Sequence, residues 1–251
     1  MPSTKCASFT TIAIIFLVIY CTTVMAQGNK PYLDSAAYSP VKPLNWSLSS
    51  QLHSASLYFF TGLVDQTDQS FDMLFIYDKN GWGGIVYKSF DVLNHNTGVN
   101  YAIMAVHKHF KINENLQVTP NVGFNLNQNW SVADKGSDLM VDLAADYKLN
   151  KYFTISNDAI FQNMAITKGH NWTNRLKLAF SKNKYETAVL LWYRNRVFNN
   201  TGYLSTGFSA GYNGFMLTPT ANLGLSVQTI LMLQSDVHNT NGLMFTMAVN
   251  M

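Results

Sequence analysis

Apolar and polar residues alternate with period two along most of this chain. From Asn115 to Asn127, Leu116, Val118, Pro120, Val122, Phe124 and Leu126 fall on one side, and Gln117, Thr119, Asn121, Gly123 and Asn125 on the other. Successive side chains of a strand point to opposite faces, so this pattern predicts two-faced β-strands. Twelve such segments follow Asn45: 45–62, 70–78, 82–92, 98–111, 115–128, 138–149, 152–166, 172–181, 184–198, 202–212, 215–231 and 241–251. Most reach the ~9–11 residues that a tilted membrane strand needs.

The connections alternate in length. Short ones are predicted at Asp78-Lys79-Asn80-Gly81, Lys111 to Glu114, Asn150-Lys151, Lys182-Asn183 and Asn213-Gly214. Asn and Gly tolerate positive φ, which tight hairpins require. Longer polar connections fall at 63–69, 93–97, 129–137, 167–171, 199–201 and 232–240. Short turns on one rim and long loops on the other are the arrangement of an outer-membrane barrel. Pro120 and Pro219 fall inside predicted strands, where the missing N–H calls for a bulge or a kink.

Composition fits a lipid-facing exterior. Charged residues make up 12% of the chain, against ~25% in soluble domains. Hydrophobic content is 47%, yet no apolar run beyond the N-terminal segment is long enough for a membrane helix. The net charge of +3 gives no support for nucleic acid as a partner.

Lys5, the apolar run Ile12 to Tyr20 and Val24-Met25-Ala26 form the three parts of a cleaved secretory signal over residues 1–26. Residues 27–44, broken by Pro31, Pro40 and Pro43, read as an irregular periplasmic leader. Residues 45–251 form a single predicted barrel domain. Both cysteines, Cys6 and Cys21, lie in the signal, so disulfides contribute nothing to the expected mature fold. Aromatic residues near strand ends are expected to form interfacial girdles: Trp46, Tyr77, Trp82, Tyr101, Phe110, Trp130, Tyr147, Phe153, Trp172, Tyr185, Tyr203, Tyr212 and Phe215.

The signal, the cysteine-free mature chain, the alternating strands and the apolar alternation Met247, Val249, Met251 resemble bacterial outer-membrane β-barrel proteins of porin-like type. The Asn- and Tyr-rich composition is similar to that of Bacteroidetes proteins. The resemblance covers residues 45–251. It implies an all-β, up-and-down antiparallel barrel of about twelve strands, with ten or fourteen as alternatives, in the outer membrane of a Gram-negative cell.

The polar faces hold the candidate chemistry. Asp138, Asp142 and Asp146 form an acidic row on one strand, and Asp158 lies on the next. Arg175 and Lys177, then Glu186, Arg194 and Arg196, follow on later strands. If all line the lumen, they either set a transverse field that orients polar solutes or form a salt-bridged filling that closes it.

His107 and His109 have the spacing of two metal ligands on one strand face. No acidic residue adjoins them in sequence, so neither a metal site nor a cofactor is expected. His53 has Ala55, not Ser, two residues on, and no G-x-S-x-G elbow occurs. A lipid-hydrolysing enzyme is therefore the least favoured reading. The expected function is a narrow passive channel for small polar solutes. The alternative is a non-conducting accessory barrel that binds a protein partner through its loops or leader. In either case outer-membrane lipid surrounds the barrel.

Overall fold

The computed structural model describes residues 45–58, 62–66, 69–92, 102–126, 137–165, 171–196, 201–236 and 241–251. The predicted signal and leader lie outside them. Twelve strands form one antiparallel sheet: β1 Trp46–His53, β2 Ser70–Lys79, β3 Trp82–Asp91, β4 Ala102–Lys108 continued by Phe110–Lys111, β5 Leu116–Leu126, β6 Asp138–Lys148, β7 Phe153–Gln162, β8 Asn171–Lys182, β9 Tyr185–Arg196, β10 Thr201–Thr218, β11 Ala221–Ser235 and β12 Gly242–Asn250. Each strand pairs with its sequence neighbour, and β1 pairs with β12. The sheet thus closes with no free edge, as hydrocarbon surroundings demand.

Local chemistry explains the short rim. Asn80 and Gly81 both take positive φ (55° and 77°), the geometry of a two-residue hairpin turn. Asn183, φ 57°, plays the same part between β8 and β9. Asn113 Oδ1 accepts from the amides of Asn115 and Leu116, and Asn150 Oδ1 from those of Tyr152 and Phe153. Both are Asx-type turns that occupy the amides at the start of the next strand.

Three predicted elements differ. The first predicted strand, 45–62, ends at His53; Ser56–Tyr58 and Leu63–Gln66 then pair as a separate small hairpin. Asn213-Gly214 is not a turn. β10 runs through it with a register shift between Tyr212 and Phe215, and a Cβ on Gly214 would lie 2.0 Å from the Tyr212 ring. The dipeptide is a bulge that makes room for that ring. The reversal comes at Pro219-Thr220, so Pro219 occupies a turn and needs no ladder hydrogen bond. Pro120 does lie inside β5, and the ladder facing it is interrupted between His107 and Phe110 of β4.

The alternation has a clear outcome. Leu143, Leu176, Leu178, Val189, Leu191, Leu225, Leu243, Phe245 and Met247 are exposed on the outside. Aromatic residues band this surface twice. Trp46, Tyr77, Trp82, Phe110, Tyr147, Phe153 and Tyr185 lie at the short-turn rim. Phe161, Trp172 and Tyr193 lie toward the long-loop rim, with ring centroids 6.3 and 6.0 Å apart. Tyr203, expected in a girdle, is instead buried, because its position in β10 has inward parity. Tyr101 and Trp130 lie outside the described residues.

One prediction follows from this exterior. Leu176→Arg, near the middle of β8, should lower folding stability by about 2–4 kcal/mol. Equilibrium refolding into lipid vesicles measures it. A loss below ~1 kcal/mol, the scale of a modest surface substitution, would mean this face does not meet hydrocarbon.

Candidate functional site: the inner wall

The inward positions carry the buried polar groups. In β6 to β9 these are Asp138, Asp142, Asp158, Arg175, Lys177, Glu186 and Arg194, each at most 8% exposed. Asp146 shares their parity and is half-buried. Arg196 falls on the same alternation, but its side chain lies outside the described ones. Buried charges need partners; among the described residues the inner wall supplies them for all of these but Arg194, whose Nε is buried without a hydrogen bond.

Asp158 and Arg175 face one another in register across β7 and β8. Arg175 Nε and Nη2 both lie 2.7 Å from Asp158 Oδ2. Lys177 Nζ reaches Glu186 Oε1 at 3.2 Å on the next strand. Ala179 and Ala188 pair between them and leave room for the lysine stem. Asn121 Nδ2 donates to Asp142 Oδ2 (3.0 Å), and Ser156 Oγ to Asp146 Oδ1 (2.5 Å). Asp138 Oδ1 accepts from the amides of Leu139 and Ala165. These contacts run along the wall between neighbouring strands or segments.

A second network crosses the closure seam. His53 of β1 lies with Nδ1 2.7 Å from Thr246 Oγ1 of β12 and Nε2 3.2 Å from Asp72 Oδ2 of β2. Tyr87 and Ser89 of β3 also donate to Asp72, at 2.5 and 2.6 Å. Sequence reading missed this set, since His53 and Thr246 meet only when the barrel closes. The chain of hydroxyl, imidazole and carboxylate lies on the inner face, away from the lipid that a membrane lipase would attack.

Part of the wall is apolar. Ala188, Leu190 and Trp192 of β9, Ile230 of β11 and Met244 of β12 form a buried cluster with Ala55. Ala55 leads into the small hairpin, which folds inward against this cluster. Ser205 Oγ donates to the Gly62 carbonyl at 2.8 Å. A Cβ on Gly62 would sit 2.5 Å from the Trp192 ring.

At the short-turn rim, Asp78, His107 and His109 come together. Asp78 Oδ1 is 2.6 Å from His107 Nε2 and 3.1 Å from His109 Nε2. The sequence reading found no acid beside these histidines; the register Asp78–Gly83–His107 across three strands supplies one. His95, His170 and His238 lie outside the described residues.

The strand ring is closed, its exterior is apolar with two aromatic bands, and its interior bears charge. The chain is a transmembrane β-barrel of the outer-membrane type. No protein-family model and no curated protein matches its sequence. Its fold is similar to that of solved porins. The KdgM porin superposes with a TM-score of 0.56 at 10% identity, covering 81% of this chain and 97% of that one. The NanC porin gives 0.55 at 10% identity, covering 81% and 98%. A second KdgM structure, in complex with disordered oligogalacturonate, gives 0.54 at 9% identity, covering 81% and 97%.

Proposed function

We propose that this barrel is a narrow passive channel for small polar solutes. The observation that carries the reading is the inner wall, where acidic and basic side chains from β6 to β9 sit side by side within a lipid-facing ring. Charges of both signs on the inner wall give polar solutes contacts that the apolar exterior does not offer. The fold shared with porins supports the same reading.

Two features would make the passage selective. The Asp158–Arg175 and Lys177–Glu186 pairs put both signs of charge on one wall, a field that orients solutes with separated charges. The inward hairpin, seated on Trp192 and Ser205 beside these pairs, takes up cross-section. The expected solute is therefore small, polar and able to hydrogen-bond both carboxylates and guanidinium groups.

Reconstitution in planar bilayers tests this. The expected result is discrete, reproducible unitary current steps from the purified barrel. A folded barrel that stays electrically silent, and that leaves liposomes impermeable to small sugars and amino acids, would favour an accessory barrel with a protein partner.

A further inference from the structure

We propose that Asp78, His107 and His109 form a divalent transition-metal site at the short-turn mouth of the barrel. The site does not depend on the channel reading. Its ligand atoms, one carboxylate oxygen and two imidazole nitrogens, lie within 4.8 Å of one another. Three protein ligands with one side open to solvent is the arrangement of a zinc site that keeps a water in its fourth position. Asp78 and His109 are part-exposed, with side chains 41% and 32% accessible, while His107 is buried. An ion would therefore enter from the rim.

The backbone builds the site in a specific way. Asp78 of β2, Gly83 of β3 and His107 of β4 lie in one row. A Cβ at Gly83 would sit 2.3 Å from His107 Nε2 and 2.5 Å from Asp78 Oδ1. Only glycine leaves the space between the two ligands open. His109 follows His107 by two residues and so presents its ring on the same inner face, with ring centroids 4.6 Å apart.

His107 Nδ1 is buried with no hydrogen-bond partner among the described residues, whereas His109 Nδ1 has two neighbours, Gln117 Nε2 at 3.2 Å and a nearer hydroxyl. Thr119 Oγ1 lies 2.8 Å from His109 Nδ1. If it accepts the Nδ1 proton, Nε2 is left as the lone-pair nitrogen, which is how a metal-bound imidazole is usually held. That lone pair would then face a carboxylate oxygen 3.1 Å away. Two lone pairs in contact repel unless a cation or a proton lies between them. Ligand atoms around tetrahedral zinc stand about 3.3 Å apart, given bonds of ~2.0–2.1 Å. The carboxylate separations of 2.6 and 3.1 Å need a small opening at His107, and the two imidazole nitrogens, within 4.8 Å of each other, close on the ion by rotation of the part-exposed His109 ring. The mixed nitrogen and oxygen set favours zinc, copper(II) or nickel over calcium or magnesium.

The test uses the full, untagged barrel, folded in detergent and stripped with chelator. Titration calorimetry with zinc chloride should give one site per barrel. His107→Gln and His109→Gln should each abolish it, and Thr119→Ala should weaken it by about 10–100-fold. Heat-modifiable migration on gels checks that each variant is folded. Should a variant misfold, cobalt(II) added to the wild-type barrel gives an independent readout, the visible bands of a tetrahedral centre. Absent stoichiometric zinc binding, binding retained in the folded histidine variants, or a cobalt spectrum without tetrahedral bands would each overturn the proposal and leave a proton-sharing cluster in its place.

Discussion

Arg175→Met should destabilise the barrel by about 3–5 kcal/mol, the cost of stranding a buried carboxylate. Arg175 and Asp158 have side chains only 6% and 10% exposed. Arg175 is in register with Trp192 on its other side, so the pair stands beside the apolar block. The double variant Asp158→Leu/Arg175→Met should recover most of the loss, because it removes both desolvation penalties together. Denaturant unfolding of all four proteins in one lipid or detergent system closes the cycle. The size of the single-variant loss also reports on the lumen. In a packed interior no bulk water replaces the lost guanidinium. In a wide water-filled pore, solvent would take the place of Arg175, and the loss would fall to the ~0–1 kcal/mol of an exposed pair. A loss that small would place the pair in open water and contradict its burial.

What the sequence disclosed depended on how local the cause was. The faces of β5, β6 and β8 follow from parity alone. Leu143, Tyr147, Leu176 and Leu178 are exposed where the alternation puts them. Asn80-Gly81 and Asn183 mark turns because a positive φ is needed within two residues. Asn213-Gly214 misled for the same reason. The dipeptide that suits a hairpin also suits a bulge, and the choice was made by the Tyr212 ring folding over Gly214. The first arm of the inserted hairpin was read as the end of the strand 45–62, since Leu57 and Tyr58 carry the strand pattern, and its second arm, Leu63–Gln66, as part of the connection 63–69. Only its pairing with itself, and not with β2 or β12, separates it.

Contacts between distant strands were hidden more deeply. Asp78 and Gly83 are linked by the turn between them, and that much was readable. Their alignment with His107 depends on the register of β3 with β4, which no local signal sets. A search for glycine opposite both a carboxylate and a histidine would have found the row once that register was known. Thr246 and His53 stand at opposite ends of the barrel sequence, and closure brings them to 2.7 Å. Parity thus tells which residues face inward, and registry decides which of them meet.

The largest functional effect should come from Gly62. Its φ of +69° is a conformation that a β-branched residue strongly resists. Its missing Cβ is what lets the hairpin rest on Trp192 and Ser205, both within 2.5 Å of where that atom would be. Gly207 serves the same indole from the wall, since a Cβ there would lie 2.8 Å from the ring. Trp192 is thus held between two glycines and is 0% exposed. Gly62→Val should drive the hairpin off this seat and break the Ser205 Oγ hydrogen bond to the Gly62 carbonyl. Freed cross-section should raise unitary conductance on the order of twofold or more, because the narrowest segment limits ion flow. Tryptophan emission should shift to the red as the indole meets water, and the shift should vanish in the Trp192→Phe background. The strands of the barrel take no part in the change, so gel migration of the folded form should stay the same. If conductance and emission both match the parent, the hairpin does not govern the passage, and the charged wall of β6 to β9 must set its width.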